Sequence, residues 1–156
     1  IVPRKGAVVA EATEKERDYI WEIREILEPY AAVQSIPKIM DDELIKVEED
    51  LKKVLDNPDN LKLYMDVDIE LHELLFQKLE NHFLKDVLEN MRDHSLRMRW
   101  AVETSEPGIR SDIELESTKE HLKIVEALKT RNEQNVFHAV KDHLMRSKKR
   151  ILKVEK

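Results

Sequence analysis

The chain has 156 residues, 38% of them charged, with a formal net charge of -6, only 2 Gly and no Cys. That length supports one domain with its own core, and the lack of cysteine excludes disulfides, thiolate metal sites and cysteine nucleophiles. An acidic domain with few aromatics is a poor nucleic-acid binder by itself. No apolar run approaches the roughly 18–20 residues of a membrane span and no signal-peptide pattern opens the chain, so a soluble, cytoplasmic protein is expected.

Residues 1–10 contain Pro3-Arg4-Lys5-Gly6 and then Ala7, Val8 and Val9, which reads as a turn and a short strand. A lone strand is not stable, so this segment is expected to be the tail of a preceding domain, and residues 11–156 a domain of their own. Thr13-Glu14-Lys15-Glu16 is a capping box that opens a first helix. That helix carries Tyr19, Ile20, Ile23, Ile26, Leu27, Tyr30, Ala31 and Val33, with Pro29 inside it to bend it or leave a hydrogen bond open. Ser35 to Pro37 ends it. Asp41 or Asp42 is expected to cap a second helix with Leu44, Val47, Leu51, Val54 and Leu55 on one face. Asn57-Pro58 should stop it and start a third, with Pro58 in the first turn, running to about Glu80.

After a break near Asn81, a fourth helix is predicted over roughly 83–103, with Leu84, Val87, Leu88, Met91, Leu96 and Trp100. Pro107-Gly108 reads as a loop, and the capping box Ser111-Asp112-Ile113-Glu114 opens a fifth helix. Arg131-Asn132 turns the chain. Asn132 caps a sixth helix that fades into the basic tail Lys148 to Lys156. The expected fold is therefore all-α, a six-helix antiparallel bundle with short loops.

Four polar groups interrupt the apolar stripes. Leu61, Met65, Asp68, His72, Leu75 and Leu79 follow one another at three- or four-residue steps, which puts a carboxylate and an imidazole together on a face that should be buried. His121 falls in register with Ile124, Val125 and Leu128, and His143 with Val136, Ala139 and Val140. A buried carboxylate needs compensation. One Asp and three His converging inside a bundle make a ligand set for a divalent transition metal, with Zn, Ni, Mn and Fe all compatible. The competing interpretation is three separate core histidines, each satisfied by backbone or a neighbour. His82, His94 and His138 read as surface or edge residues, His94 being the one best placed to reach a cavity. Arg24 could face a carboxylate ligand or pair with Glu28 one turn on. No histidine has a Glu three residues before it, which argues against di-iron chemistry. The His-Glu-x-x-His protease motif is absent. Glu120, beside His121, is expected to point away from it and offers no clear general base.

The order of these segments resembles the C-terminal ligand-binding (FCD) domain of FadR-type regulators in the GntR transcription-factor family. Pro3 to Val9 looks like the last wing strand of a winged helix-turn-helix domain. Arg24-Glu25-Ile26-Leu27-Glu28 resembles the opening Arg-x-x-Leu-Glu run. Asp68-Ile69-Glu70-Leu71-His72 resembles Asp-x-x-Phe-His, with Leu71 in place of Phe, and is followed at the usual distance by Asn81. Glu120-His121-x-x-Ile124 and Ala139-x-x-x-His143-Leu144 match the closing motifs.

The resemblance covers nearly the whole chain, and six helices look like the VanR-type subgroup. It implies a non-enzymatic, homodimeric sensing domain with a divalent metal, Zn or Ni foremost, on Asp68, His72, His121 and His143. It also implies a small effector, typically an organic acid, meeting Arg24 and, beside it, Asn81 and His94. Operator DNA would be bound only through the winged domain. A metalloenzyme and a purely structural metal bundle are the alternatives.

Overall fold

The computed structural model describes residues 13–103 and 107–154. The expected wing strand in residues 1–10 lies outside these, as do the side chains of Leu96 and Trp100. Among the described residues there are six α-helices, one short 3-10 turn and no strand. In chain order the helices are α1 (Glu14–Ser35), α2 (Asp41–Asp56), α3 (Leu61–Phe76), α4 (His82–Glu103), α5 (Pro107–Lys129) and α6 (Glu133–Val154). The all-α six-helix bundle expected from the sequence is the fold observed.

The caps explain most boundaries. Thr13 accepts from the Glu16 N–H, and the Glu16 carboxylate accepts from the Thr13 N–H at 2.7 Å, so the capping box forms as read. Asn60, Asn81 and Asn132 accept from Leu63, Leu84 and Asn135 N–H groups and begin α3, α4 and α6. Three helix starts differ from expectation. Met40, not Asp41 or Asp42, is the cap residue of α2; the acidic run Asp41-Asp42-Glu43 fills the first turn, where it favours the helix dipole. Pro58 lies in the turn before α3, because Asn60 takes the cap. Pro107 begins α5 rather than a loop, four residues ahead of the Ser111 box. A proline lacks only an N–H that the first turn leaves unpaired anyway.

Helix α3 ends at Phe76, earlier than Glu80. Helix α1 continues through the buried Pro29, and the proline ring can donate nothing to the carbonyl one turn back.

The interior has two characters. At one end Leu44, Val47, Leu51 and Val54 of α2 pack with Ile124, Val125 and Leu128 of α5 and Val136 and Val140 of α6 in an apolar core. Toward the other end the buried groups turn polar: Glu114, Ser117, Thr118, Glu120 and His121 on α5, and His143 on α6. Helix α1 spans both and is divided in an unexpected way. Its interior face carries Trp21, Arg24 and Glu28 beside Ile20, Ala31 and Ala32, while Tyr19, Ile23, Ile26 and Tyr30 face outward.

Candidate metal centre

Helices α3, α5 and α6 each bring one histidine to the same interior point. Asp68 and His72 sit one turn apart on α3, so their side chains stack along one face. His121 is fully buried, and His143 and Asp68 nearly so. One ring nitrogen each from His72, His121 and His143 lies within 4.8 Å of the other two. The Nε2 atoms of His121 and His143 are 3.3 Å apart. Asp68 Oδ1 lies 3.6 Å from His121 Nε2 and 3.8 Å from His72 Nε2. The structure therefore brings together all four groups that interrupt the apolar stripes. Three imidazole nitrogens this close are a donor set that suits a divalent transition ion, and Asp68 lies alongside two of them.

Burial pushes His72 down to about 4, against the opposing pull of the Asp68 and Glu28 carboxylates. At neutral pH its ring is uncharged, the state in which imidazole can offer a lone pair.

Two carboxylates that sequence reasoning did not assign to the site stand behind the histidines. Glu120 Oε2 lies 2.9 Å from His143 Nδ1, and Arg150 reaches both Glu120 oxygens, at 2.6 and 2.7 Å. Burial works to raise the Glu120 pKa, but hydrogen bonds from Arg150 and His143 outweigh it and bring it down to about 2. The expectation that Glu120 points away is thus corrected. Neighbouring helix positions diverge by only about 100°, and the interior face of α5 is wide enough to hold both Glu120 and His121. On the opposite flank Glu28 Oε2 lies 3.9 Å from His72 Nδ1. Arg24 donates Nε to Glu28 Oε1 at 2.5 Å and stacks on Trp21, 4.6 Å from the ring centroid. The pairing one turn apart is formed, and it is buried.

A cavity beside the cluster is lined by Asp68, His72 and His143 together with Ser117, Ser147 and Arg150. Arg24, Asn81 and His94 are not among its lining residues. Asn81 is exposed and caps α4. His94 is half-buried and lies toward Glu16, whose carboxyl is lowered mainly by Thr13 and to a lesser degree by His94. His82 and His138 are exposed, as their edge positions imply.

An all-helical bundle with a buried histidine cluster is the class this geometry defines. The FCD domain family matches residues 19–146, and the chain belongs to it. Among solved structures it is similar to the metal-free FCD domain of TM0439, described as a candidate transcriptional regulator. The identity is 19% and the TM-score 0.77, over 94% of this chain and 98% of that one. It is also similar to McbR/YncC of E. coli, with 16% identity and a TM-score of 0.81 over 100% of this chain and 73% of that one. Identities this low speak to fold alone. No curated protein matches the sequence.

Proposed function

We propose that the chain is the effector-sensing domain of a GntR-type transcriptional regulator of the FadR group. In this reading Asp68, His72, His121 and His143 hold one divalent transition metal, Zn or Ni foremost, with Mn and Fe compatible. The observation that carries it is the convergence of three imidazole nitrogens, two buried and one half-buried, within 4.8 Å of one another, with Asp68 alongside. A divalent ion held there supplies positive charge and open coordination positions suited to a carboxylate.

The residues around the cavity suit the same ligand class. Arg150 is the cation among the described lining residues, with Ser117 and Ser147 as further donors, Glu114 and Asp68 as carboxylates, and Ile113 and Ile151 as apolar wall. A small organic acid would meet Arg150 directly, whereas Arg24 stands behind Glu28 and acts through it. An occupant would touch α3, α5 and α6 together, so it can favour one packing of these helices over another. A coupling of roughly 1–3 kcal/mol already changes operator affinity 5- to 150-fold. DNA binding belongs, in this reading, to a winged helix-turn-helix domain of the whole regulator, outside the described residues.

Tyr19, Ile23, Ile26 and Tyr30 on α1 are exposed, as are Phe83 and Val87 on α4, a helix that packs on α1. Exposed large apolar side chains at this density support a homodimer. Sedimentation should then show a dimer that the Ile26→Asp chain no longer forms; a monomeric parent would remove dimerisation from the reading. No helix among the described residues is long and apolar enough to cross a membrane, which accords with a cytoplasmic regulator.

Glu120 argues for a sensor over a metalloenzyme. It is already shared between His143 and Arg150, and at about 2 its pKa is far below that of a useful general base. The test is a thermal-shift screen of the zinc-loaded chain against mono-, di- and hydroxy-carboxylates. At least one acid should raise the melting temperature, and the Arg150→Ala chain should respond less. No response to any acid would contradict the carboxylate-sensing reading.

A further inference from the structure

The ring of His143 is gripped at both nitrogens by consecutive residues of one helix. Glu120 Oε2 lies 2.9 Å from Nδ1, and His121 Nε2 lies 3.3 Å from Nε2. An ionised carboxylate can only accept, so the proton of a neutral His143 ring belongs on Nδ1. Nε2, the nitrogen that faces the other histidines, then keeps its lone pair. The tautomer of a histidine ligand is set in this way by whatever its second nitrogen bonds.

Glu120 is itself fixed. Arg150 donates Nη1 to Oε1 at 2.6 Å and Nη2 to Oε2 at 2.7 Å, a two-pronged contact that holds the plane of the carboxylate. Oε2 therefore serves Arg150 and His143 together. Arg150 follows His143 by about two helical turns, which returns it to the same face of α6. The contact runs from α6 to α5 and back to α6, with the His143 ring at its inner end.

We propose that Glu120, clamped by Arg150, is the positioning residue of His143: it holds the ring proton on Nδ1 and thereby presents the Nε2 lone pair to the histidine cluster. This rests on the metal reading of the cluster but assigns work to two residues outside the ligand set. A simple tie between α5 and α6 would add stability and leave both tautomer and metal affinity alone.

Glu120→Gln separates the two roles. The amide has one acceptor oxygen for the Arg150 and His143 donors together; where Arg150 keeps it, the NH2 group faces His143 Nδ1. That nitrogen must then accept, and the ring proton moves to Nε2. Two measurements follow on the 156-residue chain: the His143 tautomer in the metal-free protein, by long-range proton–nitrogen correlation, and Zn2+ affinity, by competition with a chromophoric chelator. The expected result is Nδ1–H in the parent, Nε2–H in E120Q, and roughly 10–100-fold weaker zinc binding in E120Q. Arg150→Lys, which keeps a donor, should bind zinc better than Arg150→Met, and this pair carries the test if E120Q does not fold.

A parent ring protonated on Nε2 would overturn the inference, as would zinc affinity and tautomer unchanged in E120Q. A parent that takes up no zinc would defeat the metal reading instead, while the tautomer measurement still decides whether Glu120 positions the ring.

Discussion

The same three-part arrangement, an arginine holding a glutamate behind a histidine, occurs on both flanks of the cluster, and it is closed on only one. On the α5–α6 flank Glu120 is 2.9 Å from His143 Nδ1 and doubly bonded by Arg150. On the α1–α3 flank Glu28 is held by Arg24 at 2.5 Å but stands 3.9 Å from His72 Nδ1, beyond hydrogen-bonding distance. The closed flank fixes a ring orientation and a tautomer. The open flank leaves His72 without a carboxylate at hydrogen-bonding distance from its Nδ1.

The largest effect tests what the two flanks share. His143→Ala removes a donor from the centre, and zinc should then no longer stabilise the chain. At zinc concentrations some hundred- to thousandfold above Kd, the parent should gain roughly 3–4 kcal/mol that the variant lacks. The comparison is the denaturant midpoint with and without zinc in each protein, so any intrinsic cost of the alanine cancels. Equal zinc stabilisation in both would remove His143 from the centre.

Next in size is the contrast between the flanks. Beside the roughly 10–100-fold loss expected for Glu120→Gln, Glu28→Gln should change zinc affinity only a few-fold, because Glu28 does not reach its histidine. Equal losses at the two positions would erase the distinction between a closed and an open flank.

Acid separates the flanks in a third way. In the metal-free chain, burial holds His72 at about 4 against 6.5 for an ordinary histidine. The unfolded chain therefore binds the proton more readily between these values. The stability His72 contributes is complete above pH 6.5 and is lost as the pH falls toward 4, to the extent of about 3 kcal/mol. Glu120, at about 2 against 4.5, contributes stability above pH 4.5 that disappears only as the pH approaches 2. Urea midpoints measured from pH 7 down to 3 should thus decline first through the His72 window. The His72→Gln chain should lose less stability through that window than the parent does. An unchanged upper decline would assign it to another group.

The smallest expected effect is Arg24→Lys. It keeps the charge beside Glu28 but gives up the planar stack on Trp21, and about 1 kcal/mol of stability should go with it. A thermal melt measures this, and zinc affinity should stay within a few-fold of the parent.

The interior quartet was readable because each member breaks an apolar helical stripe, and a break at a stripe position has few physical explanations. Asparagine caps and the Thr13 box likewise marked helix starts from local chemistry alone. Glu120, Glu28 and Arg150 were not readable in the same way. Charged residues lie by default on the surface, and their burial here depends on partners from another helix or another turn. A signal did exist in the spacing of Arg150 from His143, which puts a cation on the interior face of α6. The orientation of α1 was hidden for a related reason: Ile23 and Ile26 read as core, yet the buried face belongs to Trp21, Arg24 and Glu28. Pro107 shows the converse, since a proline marks a loop or a helix start equally well until the residues after it are seen.

The most direct measurement is the metal content of the chain, prepared without tag or chelator and then offered Zn, Ni, Mn and Fe in turn, by elemental mass spectrometry. About one ion per chain, absent from the His143→Ala protein, is the result a metal-holding sensor requires. No ion retained from any of the four would contradict it and leave His72, His121 and His143 as core histidines around a buried aspartate.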